Sequence, residues 1–284
     1  LARVQTLTEI KALLESRALR PRHALGQNFL ADQNLIRKLV DESGVTTGDT
    51  VLEIGPGTGT LTEELLARGC RVIACELDPE LAALNRERLA GNPNFSLIEG
   101  DCLDGKNALN PDIVTAIAPS PARTNASFKL VANLPYGAAS AVMAILAMDY
   151  PNCQGQYVTI QREVGERLRA KPHTKDYGEL GVVVQSVCTV KRIAALPPEC
   201  FWPRPDVTSE MCAITRLPPD EQRTKDPRRL SAMCRTLFTQ RRKQIGTTLG
   251  RDFPFPQGID PAKRPEELTI DQIEQLARTA VDQR

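Results

Sequence analysis

The feature that most constrains this chain is a series of short apolar segments, each stopped by glycine or an acid and each followed by a stretch of helical period. Thr50 to Ile54 (TVLEI) has the pattern of a buried strand halted by Gly55-Pro56-Gly57, and Thr60 to Arg68 resumes with helical spacing closed by Gly69. Cys70 to Leu77 predicts a second strand, Pro79 to Ala90 a helix, Phe95 to Glu99 a third strand and Phe128 to Ala132 a fourth. Apolar strands that alternate with helices need cover on both faces, so the pattern predicts an α/β architecture built on a mostly parallel sheet. Gln156 to Ile160, Gly181 to Val190 and Glu210 to Arg216 read as further strands, the last two as an antiparallel pair at one edge.

Outside this alternation the period changes. Leu1 to Glu42 reads as mostly helical, interrupted by a loop at residues 22–30 (RHALGQNFL). The Pro/Ala/Asn-rich stretch from Asp104 to Ser127 reads as a surface insertion with at most a short helix. Beyond about residue 220 the pattern is wholly helical, with start signals at Asp226-Pro227 and Thr269-Ile-Asp-Gln272. The expected division is a large unit over residues 1–218 and a small all-helical unit over 219–284.

At 284 residues with 41% hydrophobic and 25% charged side chains, the chain has ordinary globular composition and enough length for a sizeable core. Eight cysteines occur without a Cys-x-x-Cys pair and with two histidines, which points to reduced thiols in a cytoplasmic protein, not a zinc site or disulfide framework. Neither a basic-then-apolar leader nor an apolar run long enough to span a bilayer is read, so no membrane association is expected. The net charge of +1 conceals segregation: Asp49 to Asp104 holds 11 acidic and 4 basic residues, whereas Arg216 to Lys243 holds 9 basic and 3 acidic. A further basic stretch, Arg162 to Lys175, carries 5 basic and 2 acidic residues. Basic segments set against an acidic half suit a polyanionic partner such as RNA.

The acidic half carries ligand-binding signals. EIGPGTGTL (Glu53 to Leu61) places glycines where a strand must turn into a helix and admit a ligand to its backbone, a pattern that dinucleotide folds share. Glu76 ends the second strand, positioned to accept the two hydroxyls of a ribose, and Asp101 follows the third, positioned to accept the exocyclic amine of an adenine. With Val131-Ala-Asn-Leu-Pro-Tyr136 ending the fourth strand, the set describes an adenosine cradle and points to S-adenosylmethionine.

The amino group of adenine is a poor nucleophile because its lone pair is delocalised into the ring. If Asn133 Oδ1 and the backbone carbonyl of Leu134 or Pro135 accept its two hydrogens, the nitrogen is held towards tetrahedral geometry with its lone pair free for a methyl group. Tyr136 is placed to stack on a flipped base, and Pro135 stiffens the turn.

These residues, with others in fixed order, carry a resemblance to the KsgA family of small-subunit rRNA adenine N6,N6-dimethyltransferases. The order runs GQNFL (Gly26 to Leu30), EIGPG (Glu53 to Gly57), ELD (Glu76 to Asp78), GD (Gly100 and Asp101), NLPY (Asn133 to Tyr136), YGEL (Tyr177 to Leu180), FWPRPDVTS (Phe201 to Ser209) and FTQRRK (Phe238 to Lys243). The resemblance implies a Rossmann-like class I S-adenosylmethionine-dependent methyltransferase with a seven-stranded sheet. It implies that Asn28 and Leu30 close over the donor, that Gly55, Gly57, Glu76, Asp101 and Asn133 line it, and that Phe201 stacks on the target base opposite Tyr136. It further implies dimethylation of two neighbouring adenosines in the 3′-terminal hairpin of small-subunit rRNA within an assembling subunit, a monomeric enzyme, and an rRNA-facing tail bearing Arg241, Arg242 and Lys243. Two features depart from that family: Gly137 stands where a polar residue commonly follows NLPY, and the segment from Asp104 to Ser127 is longer and differently composed than the family norm.

Two other readings share part of the pattern. An Erm-type enzyme would dimethylate large-subunit rRNA, and a non-catalytic assembly or transcription factor would keep the fold and bind nucleic acid. Leu134 and the long helical tail favour the small-subunit enzyme over the first, and the intact Gly55, Glu76, Asp101 and Asn133 argue against the second. A DNA-adenine or glutamine methyltransferase fits poorly, because FWPRPDVTS has no place in it.

Overall fold

A computed structural model describes residues 5–22, 25–118 and 127–280. Helix α1 (Leu7–Glu15) starts in a capping box formed by Thr6 and Glu9, which satisfies two amides that the first turn leaves bare. A strap containing the two-residue strand β1 (Phe29–Leu30) leads to α2 (Gln33–Ser43), capped by Asp32 and ended by Gly44 in the left-handed region. Two helices, with β1 between them, thus precede the sheet.

The alternation predicted from the sequence follows. Strand β2 (Thr50–Ile54), helix α3 (Thr60–Ala67), β3 (Arg71–Glu76), α4 (Pro79–Leu89) and β4 (Phe95–Glu99) come first. A small hairpin, β5 (Leu103–Asp104) with β6 (Ala108–Leu109), then leads into α5 (Pro111–Ile117). Next are β7 (Phe128–Asn133), α6 (Tyr136–Asp149), β8 (Cys153–Gln161), α7 (Arg162–Arg169), α8 (Glu179–Val187), β9 (Cys188–Leu196), β10 (Phe201–Trp202) and β11 (Ser209–Arg216). Helices α9 (Pro227–Thr239), α10 (Ile245–Leu249) and α11 (Ile270–Thr279) complete the chain, with Asp226 and Thr269 as the N-caps of α9 and α11.

Seven strands form one sheet in the order β4-β3-β2-β7-β8-β11-β9. Strands β4 to β8 in that order are parallel, and β11 runs antiparallel to both β8 and β9. From β2 the chain winds outward through β3 and β4, then returns to β7 on the other side. The order therefore reverses between β2 and β7, and the crevice beyond their carboxyl ends is where an open α/β sheet takes its ligand.

Two elements differ from the sequence reading. Gly181 to Val190 is not one strand: α8 runs to Val187 and the strand starts at Cys188. Val184 and Val187 pack into the core beneath the sheet while Val182 and Val183 pack against Leu230, Leu237 and Leu276 of the C-terminal helices. A helix buried on both sides has no polar face, so its β-branched run imitates a strand. The 104–118 part of the presumed insertion is also more than surface, because Ile113 and Ile117 of α5 enter the main core. Residues 119–126 lie outside the described residues.

Among the described residues no helix is long and apolar enough to cross a membrane. All eight cysteines are free thiols, and seven are buried. Burial pushes the thiols up, Cys75 and Cys102 to about 12, which holds them un-ionised.

Candidate active site

A cavity of about 500 Å³ occupies the crevice at the switch point. Its floor is the glycine turn between β2 and α3. Gly57 has φ of +59°, and a Cβ there would sit 2.8 Å from the Phe29 ring, so both the turn and the close approach of the strap exclude a side chain. A Cβ on Gly55, also left-handed, would touch Pro135 at 3.4 Å. The turn is braced from behind: Asn85 Nδ2 of α4 donates to the Gly57 carbonyl at 2.7 Å, and Gln5 Nε2 and the Arg88 guanidinium donate to the Thr58 carbonyl.

Glu76 stands at the carboxyl end of β3 with 6% exposure. Its Oε2 accepts from the Gly57 amide at 3.1 Å and its Oε1 from the Asp78 amide at 3.0 Å. Burial raises its pKa, and those amides oppose the rise by favouring the carboxylate. Asp101 is exposed at the rim, its Oδ1 accepting from the Leu103 amide at 2.9 Å. Between the acids, Leu77 leaves 49% of its surface uncovered although it lines the cavity, as does Leu103. Two carboxylates beside an uncovered apolar side chain match what an adenosine offers: a diol, an amine and a flat ring to be covered. The residues present therefore fit S-adenosylmethionine.

The strap forms the roof. Asn28 and Leu30 line the cavity, together with Leu25, Gly26, Gln27 and Phe29. Across the cavity stands the NLPY block. Asn133 closes β7, and its Nδ2 donates to the Asn28 backbone carbonyl at 2.8 Å. A carbonyl cannot donate, so this bond fixes the amide and leaves Oδ1 as an open acceptor. The Pro135 carbonyl is occupied, accepting from the Ala138 and Ala139 amides at 3.1 Å as α6 begins. Of the two carbonyls considered from the sequence, only that of Leu134 carries no hydrogen bond among the described residues, while the Leu134 amide is tied to the Thr159 carbonyl. Tyr136 is half-buried, its hydroxyl 2.9 Å from Ser209 Oγ, which leaves ring surface on the cavity. Burial raises its pKa, so the phenol is neutral.

Phe201 is placed otherwise than the sequence suggested. It is 4% exposed, pairs with Leu30 in the β1–β10 ribbon and does not line the cavity. Apolar contacts with the strap outweigh an open position facing Tyr136, so in this arrangement Phe201 supports the roof. Next to it, Trp202 stacks on Phe29 with centroids 6.3 Å apart, and the Lys11 ammonium lies 5.4 Å from the indole.

The basic tail also divides. Arg241 bonds Glu266 at 2.6 Å and the carbonyls of Lys175 and Thr174, so it cross-links the C-terminal helices to the loop after α7. Arg242 and Lys243 are exposed and make no ion pair among the described residues. Lys171 and Lys175 of the tethered loop are likewise exposed and make no ion pair there.

Sequence reasoning passed over several residues of the site. Glu53 lies beneath the glycine turn with 1% exposure, accepting from Thr62 Oγ1 at 2.7 Å; burial pushes its carboxyl up to about 8, the Thr62 bond opposing and the Glu76 charge adding to the rise. Asn85, fully buried, and Gln27, bonded to Asp78, were also missed. A lone amide at a core position of α4 was the available signal for Asn85.

Comparison with known proteins agrees with this geometry. The family model described as ribosomal RNA adenine dimethylase matches residues 18–280. A "Ribosomal RNA small subunit methyltransferase A" of Moorella thermoacetica is 37% identical over 281 residues, covering 94% of this chain and 95% of the relative. The protein of the same name from Clostridium perfringens is 36% identical over 270 residues, with 92% and 90% covered. Among solved structures, a dimethyladenosine transferase from Plasmodium falciparum shares the fold, with a TM-score of 0.68, 21% identity, and 87% of this chain and 95% of that one covered. The 23S rRNA methyltransferase ErmE aligns with a TM-score of 0.62 at 25% identity, with 89% and 99% covered. With its glycine turn, paired acids and NLPY block joined in one crevice, and a family match over nearly its whole length, this chain belongs to the ribosomal RNA adenine dimethylase family.

Proposed function

We propose that the protein is an S-adenosylmethionine-dependent enzyme that dimethylates N6 of two adjacent adenosines in the 3′-terminal hairpin of 16S small-subunit rRNA. The observation that carries this is the pair of open acceptors, Asn133 Oδ1 and the Leu134 carbonyl, on residues that line the same cavity as Glu76 and Asp101. When bound, S-adenosylmethionine supplies an electrophilic methyl group on a sulfonium. Asn133 Oδ1 and the Leu134 carbonyl accept the two N6 hydrogens of the target adenine and orient the lone pair; as N6 gains positive charge, both acceptors stabilise it. Tyr136 covers the flipped base, and the departing N6 proton passes to water. After one transfer the remaining hydrogen still finds an acceptor, which allows the second. Glu76 and Asp101 hold the ribose and adenine of the donor, and Asn28, Leu30, Gly55 and Gly57 enclose it.

The rRNA would meet exposed cations, Arg242 and Lys243 beside Lys171 and Lys175, with Arg241 fixing the segments that carry them. The division at residue 218/219 belongs to the same proposal, supported by the end of β11 at Arg216 and the wholly helical chain after it. A monomer acting in the cytoplasm on an assembling small subunit is the working state. Relatives named for the small subunit match at 36–37% identity over more than nine-tenths of the chain, which favours that subunit over the large one.

The test is methyl transfer from labelled donor to unmethylated small subunits and, in parallel, to large-subunit RNA, with product nucleosides identified. Dimethyladenosine in the small subunit alone is expected. Label confined to large-subunit RNA, or no label despite donor binding, would overturn the proposal.

A further inference from the structure

The strap that roofs the cavity is anchored well at one side. Leu30 pairs with Phe201, Phe29 with Trp202, and the Ala31 amide donates to the Cys200 carbonyl at 3.0 Å. Beside the packing of Phe29 with Leu81 and Leu84, two polar ties cross the cavity. The Asn28 carbonyl takes the Asn133 amide, and Gln27 spans from the strap to the opposite wall.

Gln27 Nε2 donates to Asp78 Oδ2 at 2.9 Å, and Gln27 Oε1 accepts from the Arg22 amide at 2.8 Å. Asp78 is 2% exposed. Its Oδ1 caps α4 through the Glu80 amide at 3.0 Å, and its own amide donates to Glu76 Oε1 at 3.0 Å. The Arg22 guanidinium approaches the same carboxylate at 3.5 Å from the exposed side. A continuous chain of hydrogen bonds thus leads from the roof, through Gln27 and Asp78, to the acid placed to hold the ribose, and on to the Gly57 amide. Residues 25–30 cover the cavity on one side, so the tie that holds them bears on how firmly a donor beneath is held.

We infer that Gln27 is a positioning residue of the reaction: by bonding Asp78 it latches the strap over the methyl donor and couples closure to the orientation of Glu76. The inference rests on the donor reading above. The hydrogen bond runs from a neutral amide to a carboxylate, the stronger class of such bonds. Its polarity is also reversible by design. Gln27→Glu sets carboxylate against carboxylate, whereas Gln27→Glu with Asp78→Asn restores one bond in the opposite sense. The exchanged pair keeps an oxygen on α4 for the Glu80 amide and an acceptor on the strap for the Arg22 amide.

The experiment is calorimetric binding of S-adenosylmethionine to the full chain without RNA, for the parent, Gln27→Glu and Gln27→Glu/Asp78→Asn, with the thermal midpoint of each donor-free protein measured alongside. Gln27→Glu is expected to weaken donor binding about tenfold, and the exchanged pair to recover to within about threefold of the parent, at midpoints that do not follow the affinities. In turnover the same loss enters the donor KM, with kcat at saturating donor within about twofold. Unaltered affinity in Gln27→Glu, a loss the exchanged pair does not recover, or a fall in kcat at unchanged KM would overturn the latch while leaving the proposed reaction in place. A parent chain that binds no donor would overturn both.

Discussion

Replacing Glu53 by glutamine should make the protein more stable at alkaline pH and leave it nearly unchanged in acid. The carboxyl is buried at the end of β2 with one hydrogen bond, from Thr62 Oγ1, and burial pushes it from 4.5 up to about 8. Its folded pKa lies above its unfolded one, so the folded chain holds a proton that the unfolded chain has released. Stability from this group is therefore fully present below about pH 4.5 and is lost as pH rises towards 8. At about 1.4 kcal/mol per pH unit, roughly 3 to 4 kcal/mol disappears between about pH 5 and pH 8. Glutamine keeps an oxygen for Thr62 and cannot ionise, so it removes this loss. Urea unfolding of parent and Glu53→Gln across that range should give curves that meet in acid and diverge by about 3 kcal/mol near pH 8, the variant on top. A constant offset between the two, or a variant that loses stability with pH as steeply as the parent, would refute the argument that the acid is protonated in the fold.

Further outcomes follow from the same geometry. On the proposed role of Asn133 as an acceptor for the reacting amine, Asn133→Ala should lower kcat about 10² to 10³-fold while rRNA affinity, measured by filter binding, barely moves. Arg241→Ala breaks three charge-assisted bonds within the fold and should lower unfolding free energy by about 1 to 3 kcal/mol. Arg242→Gln/Lys243→Gln should leave stability alone and weaken rRNA binding, reducing the salt slope by about 1 for each phosphate no longer neutralised. Gly137 sits in the first turn of α6 with ordinary backbone angles and no atom within 4 Å of a built Cβ. Gly137→Ala should therefore raise unfolding free energy by about 0.5 to 1 kcal/mol, seen as a higher melting midpoint.

The sequence made the donor side legible because each signal there is local. A glycine turn, an acid closing a strand and a helix restarting after Pro79 are written in consecutive residues, and the sheet topology places those strand ends together without further information. Parts that depend on distant partners were not legible. α8 imitated a strand because its polar face is absent, and it is absent because Leu230 and Leu276, far along the chain, cover it. The aromatic assigned to the target base is buried because a two-residue ribbon pairs Phe201 with Leu30, too short to leave a periodic trace.

The basic tail shows the same limit in electrostatic form. QRRK reads as three equivalent cations, yet Arg241 faces Glu266 and two carbonyls across a tertiary contact, whereas its neighbours face water. A charge is available to a polyanion only if the fold has not already used it, and that is decided by what lies opposite, not by the run itself. The catalytic block argues likewise. Asn133 Oδ1 was read as one acceptor and the carbonyl of Leu134 or Pro135 as the other, and the sequence could not choose between those two carbonyls. The start of α6 takes the Pro135 carbonyl for its own first turn, and the strap takes the amide end of Asn133. Two acceptors remain for two hydrogens. The fit of the site to an amine follows from hydrogen bonds made elsewhere, because the bond to the strap that holds the Asn133 amide is also the one that leaves its Oδ1 open.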